Sequence, residues 1–381
     1  MKNIYLDHQA STLVDPRVIR SMNECMLKIE GNPHSSSHLL GQKSKYILSE
    51  ATSKIARLIN ADEREIIFVS GATMANNIVL QGLENVKSSG RNVIIISKIE
   101  HPCVEQAARF MKKNKDFKLI EIDVDKNGFL DLKQLSKSLS DKVALVSVIM
   151  ANNEIGTLQN IKVLANLTHD YGALFHTDAA QAIGKTNIDT LSLDVDLMSI
   201  SGHKIGGPQG VGILFARQGV ELQPLIHGGG QQRFVSGTVP LSLAVGMGEV
   251  ASILMDEGIG IREHLKSLKK HFWNNISKYS EKIKVNGPID FSKAVSSNLN
   301  LCFINVPALE LLHRISPQVS ASIGSACASG KGEGSKVLKA LGLSDNEVSS
   351  SIRFSFGMTN TLEEVEYAAK LIGETYNKLS K

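Results

Sequence analysis

The chain has 381 residues, with 42 lysines and arginines against 38 aspartates and glutamates for a formal charge of +4, and 42% hydrophobic and 21% charged residues. Those proportions belong to a globular protein large enough for two or three structural units, and they exclude a miniprotein held together by disulfides. The basic residues are scattered, and 1 Trp and 6 Tyr leave little for base stacking, so nucleic acid is not an expected partner.

From the N-terminus, Met1 to Ser11 lacks the basic-then-apolar order of a leader. Apolar stretches such as Val143 to Met150 fall far short of the roughly 20 residues that span a bilayer. A mature cytoplasmic protein without a membrane partner is expected. Cys25, Cys103, Cys302 and Cys327 form no CxxC pair and no Cys/His cluster, which predicts reduced thiols and no metal site.

Candidate strands follow at Glu65 to Ser70, Asn92 to Ser97, Lys118 to Ile122, Val143 to Met150, Ala173 to Thr177, Leu193 to Ile200 and Gly212 to Ala216. Several are apolar at nearly every position, as strands covered by helices on both faces are, and several intervals between them fit crossover helices. A long helix is predicted from Leu243 to about Lys282, then strands at Asn298 to Ile304 and Ser350 to Ser355. A last helix is announced by the capping box Thr361 and Glu364, with Val365, Ala368, Ile372, Tyr376 and Leu379 at helical spacing. The expected fold class is α/β, with a mainly parallel central sheet in a large domain, 15–255, and a smaller α+β domain made of 1–14 and 256–381.

Four segments carry chemistry. Ser70-Gly71-Ala72-Thr73 lies between a strand and a helix, where free backbone N–H groups can receive an anion, although an ordinary tight turn has the same sequence. Asp178 ends a strand, where open parallel sheets bind ligands, or it is simply a helix N-cap. Lys204, in Ser201-Gly202-His203-Lys204, sits where another strand runs out, and a lysine so placed can form a Schiff base. Together these supply what pyridoxal phosphate requires: a phosphate cup, a carboxylate for the ring nitrogen and an amine for the aldehyde. The fourth segment, Gly324 to Gly334, is rich in glycine and serine and contains Cys327, which predicts a mobile loop bearing a reactive thiol. A packing role is the default for Cys25, Cys103 and Cys302.

With these motifs in place, the sequence resembles the cysteine desulfurases, class V aminotransferases of fold type I. The resemblance runs through nearly the whole chain: Tyr5-Leu6-Asp7-His8, Gly31-Asn32-Pro33-His34-Ser35, Glu100-His101, Asn152-Asn153-Glu154-Ile155-Gly156, His176-Thr177-Asp178-Ala179-Ala180-Gln181, Ser236-Gly237-Thr238, Gly324-Ser325-Ala326-Cys327 and Ser351-Ile352-Arg353-Phe354. It implies that Lys204 forms the Schiff base and that His101 stacks on the ring and moves protons. Asp178 would pair with the ring nitrogen, and Asn153 and Gln181 would meet the other side of the ring and its phenolic oxygen. Ala72, Thr73, Ser201 and His203 would hold the phosphate, joined by Thr238 from the neighbouring subunit of a homodimer. Arg353, helped by Asn32, would clamp the carboxylate of L-cysteine, and Cys327 would take its sulfur as a persulfide for an acceptor protein, in iron–sulfur cluster assembly or another thiolation pathway.

The Gly-Ser-Ala-Cys context resembles the branch with the longer, mobile cysteine loop. Departures lie at Met74 and Ala75, where the family carries Glu and Ser or Asp, and at Val235 in a Gly-Gly-Gly segment one residue shorter than usual. The glycine-rich stretch after Cys327 also differs. The chain stops at Lys381, without the extension by which housekeeping members dock the iron–sulfur scaffold, so that docking is not expected. The alternatives are a selenocysteine lyase, a class V aminotransferase of another kind, or a catalytically weak paralogue serving as a binding or regulatory subunit.

Overall fold

The computed structural model describes residues 3–324 and 334–381. Seven strands form one sheet, in the spatial order Ile66–Val69, Gly212–Ala216, Leu197–Ser201, Leu174–Asp178, Val143–Ser147, Val93–Ser97 and Lys118–Ile122. The last five run parallel. Gly212–Ala216 runs antiparallel to both of its neighbours.

The apolar runs become central strands because helices cover both faces. Val143–Ser147 and Leu197–Ser201 are buried at every residue, and the helix Pro102–Asn114 turns Val104, Ala107, Ala108 and Met111 inward at helical spacing. Proline in the first turn, behind the N-cap His101, fixes where that helix starts.

Three boundaries differ from expectation. The strand predicted to Met150 leaves the ladder after Ser147, while Val148 and Met150 still donate backbone bonds to the carbonyls of His176 and Asp178. The strand predicted from Leu193 starts at Leu197: the Asp189 side chain caps a helical turn, Thr190–Leu193, which ends on a left-handed Asp194. The long helix spans Leu241–Ile276, and beyond it an unforeseen short strand, Ile283–Asn286, pairs with Asn298–Phe303.

That short strand belongs to a three-stranded antiparallel sheet completed by Ser351–Ser355. Its core is separate from that of the large sheet and aromatic: Phe272 lies 5.0 Å from Phe354 and 5.5 Å from Phe356, and Tyr376 packs on Phe303. The long helix serves both cores, giving Ala244, Met247 and Ala251 to the first and Leu265, Leu268, Phe272 and Ile276 to the second. The N-terminal strand Ile4–Tyr5 joins the second core by pairing in parallel with Val319–Ser320. Both capping bonds of Thr361 and Glu364 are present at the start of Leu362–Leu379. No helix among the described residues is long and apolar enough to cross a membrane.

The long helix also buries a charge. Lys269 on the long helix is 2% exposed, donates to the Val295 carbonyl at 3.1 Å and stands over the Phe291 ring. Burial pushes its amine down to about 7. Between that value and the unfolded lysine value the unfolded chain binds the extra proton, so this residue contributes stability as pH rises and costs most near neutrality. Lys269→Met is expected to raise the melting temperature near pH 7, by roughly 2 °C or more per kcal/mol recovered, with the gain shrinking towards about pH 10. A calorimetric pH series checks this; a variant less stable at every pH would mean that the bond to Val295 outweighs the buried charge.

Candidate active site

A cavity of about 580 Å³ opens at the carboxyl ends of the parallel strands. Ligands are expected at that edge of such a sheet. Ala72, Thr73, His101, Asn153, Asp178, Gln181, Ser201, His203, Lys204 and Arg353 all line it. Residues separated by 281 positions in the chain are thus brought to one space.

One end of the cavity suits an anion. The helix Ala72–Gln81 begins there on Gly71, without a side-chain cap, leaving the N–H groups of its first turn for a ligand. Gly71 has φ +152°, and a Cβ there would meet nothing within 4 Å, whereas a Cβ on the facing Gly212 would lie 2.7 Å from the Gly71 Cα. Glycine at 212 lets the turn sit against the sheet, and glycine at 71 leaves its open side clear. Ser201 and His203 reach the same end from the strand Leu197–Ser201 and the turn after it. Burial, reinforced by Lys204 and Lys185, pushes His203 down to about 4, so its ring is neutral at physiological pH.

Asp178 occupies the floor, 3% exposed. Its Oδ1 accepts the Ala180 N–H at 2.9 Å and its Oδ2 accepts Asn76 Nδ2 at 2.8 Å. No helix starts directly after Asp178, so the N-cap reading gives way to a turn whose Ala180 N–H the carboxylate accepts, while the side chain also lines the cavity.

His101 enters from the end of Val93–Ser97. The preceding Glu100, buried, accepts from Ser97 Oγ and from Ile149 N–H, and burial pushes its carboxyl up to about 8. This pins together the ends of two strands and sets the turn from which His101 projects. Burial and Lys204 lower the imidazole from its ordinary value, against the opposing charge of Asp178. Cys103, for which packing was the default, also lines the cavity, with Sγ 2.9 Å from His101 Nδ1.

Lys204 Nζ donates to the carbonyls of Gln9, at 2.6 Å, and Ala10, at 2.8 Å. Gln181 Nε2 donates to the same Gln9 carbonyl. Lys185 then donates to Gln9 Oε1 and Gln181 Oε1, at 2.7 and 2.8 Å, fixing which way both amides face. Burial, with Lys204 and Arg353 nearby, pushes Lys185 down to about 7.

Arg353 also lines the cavity and is 2% exposed, with Nη1 on the Asn153 carbonyl at 3.0 Å and Nη2 on Asp7 Oδ1 at 2.7 Å. Its Nε is buried without a partner. Asn152 presents Asn153 by folding its Oδ1 onto the N–H groups of Glu154 and Ile155. Two predicted residues do not line the cavity: Asn32 is exposed and its Oδ1 accepts the His34 N–H, and Thr238 is exposed after Ser236-Gly237. Cys327 lies outside the described residues. The sequence reading missed Gln9, Asn76 and Lys185, whose residue types carry no signal until the fold brings them beside Lys204 and Asp178.

A family model for aminotransferase class V matches residues 4–368. The chain belongs to that family. It is 43% identical to cysteine desulfurase IscS of Ehrlichia chaffeensis, over 99% of this chain and 92% of that one. Among solved structures it superposes on a NifS-like protein with a TM-score of 0.91 at 31% identity, covering 99% of this chain and all of the other. It matches SspA in complex with cysteine at 0.82 and 30%, covering 94% and 100%. Class V aminotransferases use pyridoxal 5′-phosphate, and the cavity fits that group: an uncapped helix N-terminus beside hydroxyls, a buried carboxylate, and a lysine amine at the strand edge.

Lys185→Met removes two bonds that orient Gln9 and Gln181. At about 1 kcal/mol each, their loss is expected to weaken binding of pyridoxal phosphate to the apoprotein by up to roughly thirtyfold, as read by absorbance titration. Unchanged affinity would mean that the two glutamines keep their places without it.

Proposed function

We propose that this chain is an L-cysteine desulfurase, converting L-cysteine to L-alanine and leaving the sulfur as a persulfide on Cys327. The observation that carries the reading is the convergence of Lys204, Asp178 and Arg353 on one cavity. A carboxylate-binding guanidinium facing a cofactor lysine suits an amino-acid substrate. The relatives named cysteine desulfurase and the neighbour bound to cysteine support the sulfur chemistry.

When bound, pyridoxal phosphate supplies the electron sink for cleavage next to the substrate's α-carbon. The chain's own residues do the rest. Ala72, Thr73, Ser201 and His203 bind the phosphate, with Thr238 of the partner subunit. Asp178 holds the proton of the ring nitrogen, while Asn153 and Gln181 orient the ring. Lys204, whose Nζ is held by the Gln9 and Ala10 carbonyls, would carry the aldehyde, and His101 would hold and move a proton beside the ring. Arg353, with Asn32, orients the substrate carboxylate.

The sulfur then moves from the substrate's β-carbon to Cys327: one C–S bond breaks, one S–S bond forms, and the carbon takes up a proton. Only the thiolate is a good nucleophile, so Cys327 gives up its proton before the attack.

In this reading 15–255 is the cofactor-binding unit, and 1–14 with 256–381 is the smaller unit that carries Arg353 and the cysteine segment. The protein acts as a homodimer in the cytoplasm. Exposed Leu27, Leu39, Leu40 and Tyr46 on the first two helices support a subunit interface. The persulfide goes to an acceptor protein of iron–sulfur assembly or another thiolation pathway.

Cofactor-loaded protein given L-cysteine and a reducing thiol is expected to form alanine and sulfide in equal amounts. Cys327→Ala should lose both by more than about two orders of magnitude while keeping the absorbance of bound cofactor. Full activity in that variant, or bound cofactor without alanine, would sink the reading; selenide release from L-selenocysteine that survives the mutation would instead indicate a selenocysteine lyase.

A further inference from the structure

The Cys103 thiol has a defined place in a chain of hydrogen bonds between Asp178 and His101. Asn76, fully buried, donates through Nδ2 to Asp178 Oδ2 at 2.8 Å and to Cys103 Sγ at 3.0 Å. Cys103 Sγ lies 2.9 Å from His101 Nδ1, and the Cys103 backbone N–H donates to the same nitrogen at 3.3 Å. Burial and the nearby Asp178 push the thiol up to about 12, so at neutral pH the sulfur keeps its hydrogen.

The polarity of this chain is set by its backbone donor. An amide N–H can only donate, so Asn76 makes the sulfur an acceptor; Thr73 also bonds that sulfur, and His101 Nδ1, which already accepts the Cys103 backbone N–H, is the acceptor that the thiol hydrogen meets at 2.9 Å. Nδ1 then receives both a backbone N–H and an S–H, which requires its lone pair. A neutral imidazole so held carries its proton on Nε2, the nitrogen that has no hydrogen bond among the described residues.

We propose that Cys103, braced by Asn76, is a positioning residue that fixes the Nε2–H tautomer and ring setting of His101, so that His101 meets bound cofactor and substrate as a proton donor at Nε2. The catalytic part of this rests on the desulfurase reading; the tautomer does not. Asn76 also spans to Asp178, so one buried amide sets both the carboxylate and, through sulfur, the imidazole.

Three variants test it, with histidine ring nitrogens labelled and the His101 signals assigned by their loss in His101→Gln. The expected wild-type spectrum shows a protonated Nε2 and a bare Nδ1. Cys103→Ala should mix the tautomers and lower kcat roughly tenfold with little change in KM. Cys103→Ser, which keeps an O–H donor in the same place, should recover the wild-type tautomer and most of the rate. A packing role predicts the reverse order, because alanine keeps an apolar contact while serine buries a hydroxyl. The proposal is overturned if Cys103→Ala keeps both tautomer and kcat, or if serine is the worse substitution. Should L-cysteine prove not to be the substrate, the ring-nitrogen spectra of the three proteins still decide the role of Cys103.

Discussion

A carboxylate with 3% exposure at the end of a buried strand is costly unless both of its oxygens are bonded. Asp178 meets that condition with one backbone N–H from its own turn and one amide from Asn76 on the helix Ala72–Gln81. The requirement fixes more than the carboxylate. It places the start of that helix, and so the uncapped N–H groups beside Gly71. Through Cys103 it extends to the ring of His101, which caps the helix Pro102–Asn114.

The other side of the cavity is built around cations. Lys204, Lys185 and Arg353 converge there, and each is held by oxygen: backbone carbonyls of Gln9 and Ala10, side-chain amides of Gln9 and Gln181, and the Asp7 carboxylate. Among these partners only Asp7 is charged. Burial, and then repulsion from Lys204 and Arg353, push Lys185 well below the ordinary lysine range, the condition in which an amine is a better nucleophile. The same surroundings lower the imidazoles of His101 and His203, leaving neutral rings next to the cationic amines.

Much of this was legible in the sequence because it rests on local patterns. Strand positions followed from apolar runs such as Val143 to Ser147, and the last helix from its Thr361 and Glu364 box. Glycine, aspartate and lysine at three strand ends marked the cavity, since a parallel sheet gathers its strand ends along one edge. What stayed hidden depends on contacts across long stretches of chain. Lys185 looks like any solvated lysine until Gln9 folds over it. Cys103 reads as a small apolar residue, because sequence does not reveal that its sulfur stands between an amide and an imidazole. The early end of Val143–Ser147 reflects loss of ladder pairing rather than loss of apolar residues, and the strand Ile283–Asn286 is held by its neighbour more than by its own composition.

The N-terminal strand has a consequence for the order in which the protein can be completed during synthesis. Residues 9 and 10, whose carbonyls hold Lys204, follow a strand that pairs with Val319–Ser320, and the Gln9 N–H bonds to Ser355 Oγ. Residues 4–10 therefore wait for Val319–Ser320 and Ser355 before they can dock, even though the large sheet closes on strands made by Ala216. A nascent chain with its sheet already formed would lack both the seat of its lysine and the Arg353 side of the cavity. Such long-range closure is slow relative to local folding, so the binding site matures after the scaffold that carries it, and an interrupted translation product would hold a folded sheet around an unfinished pocket.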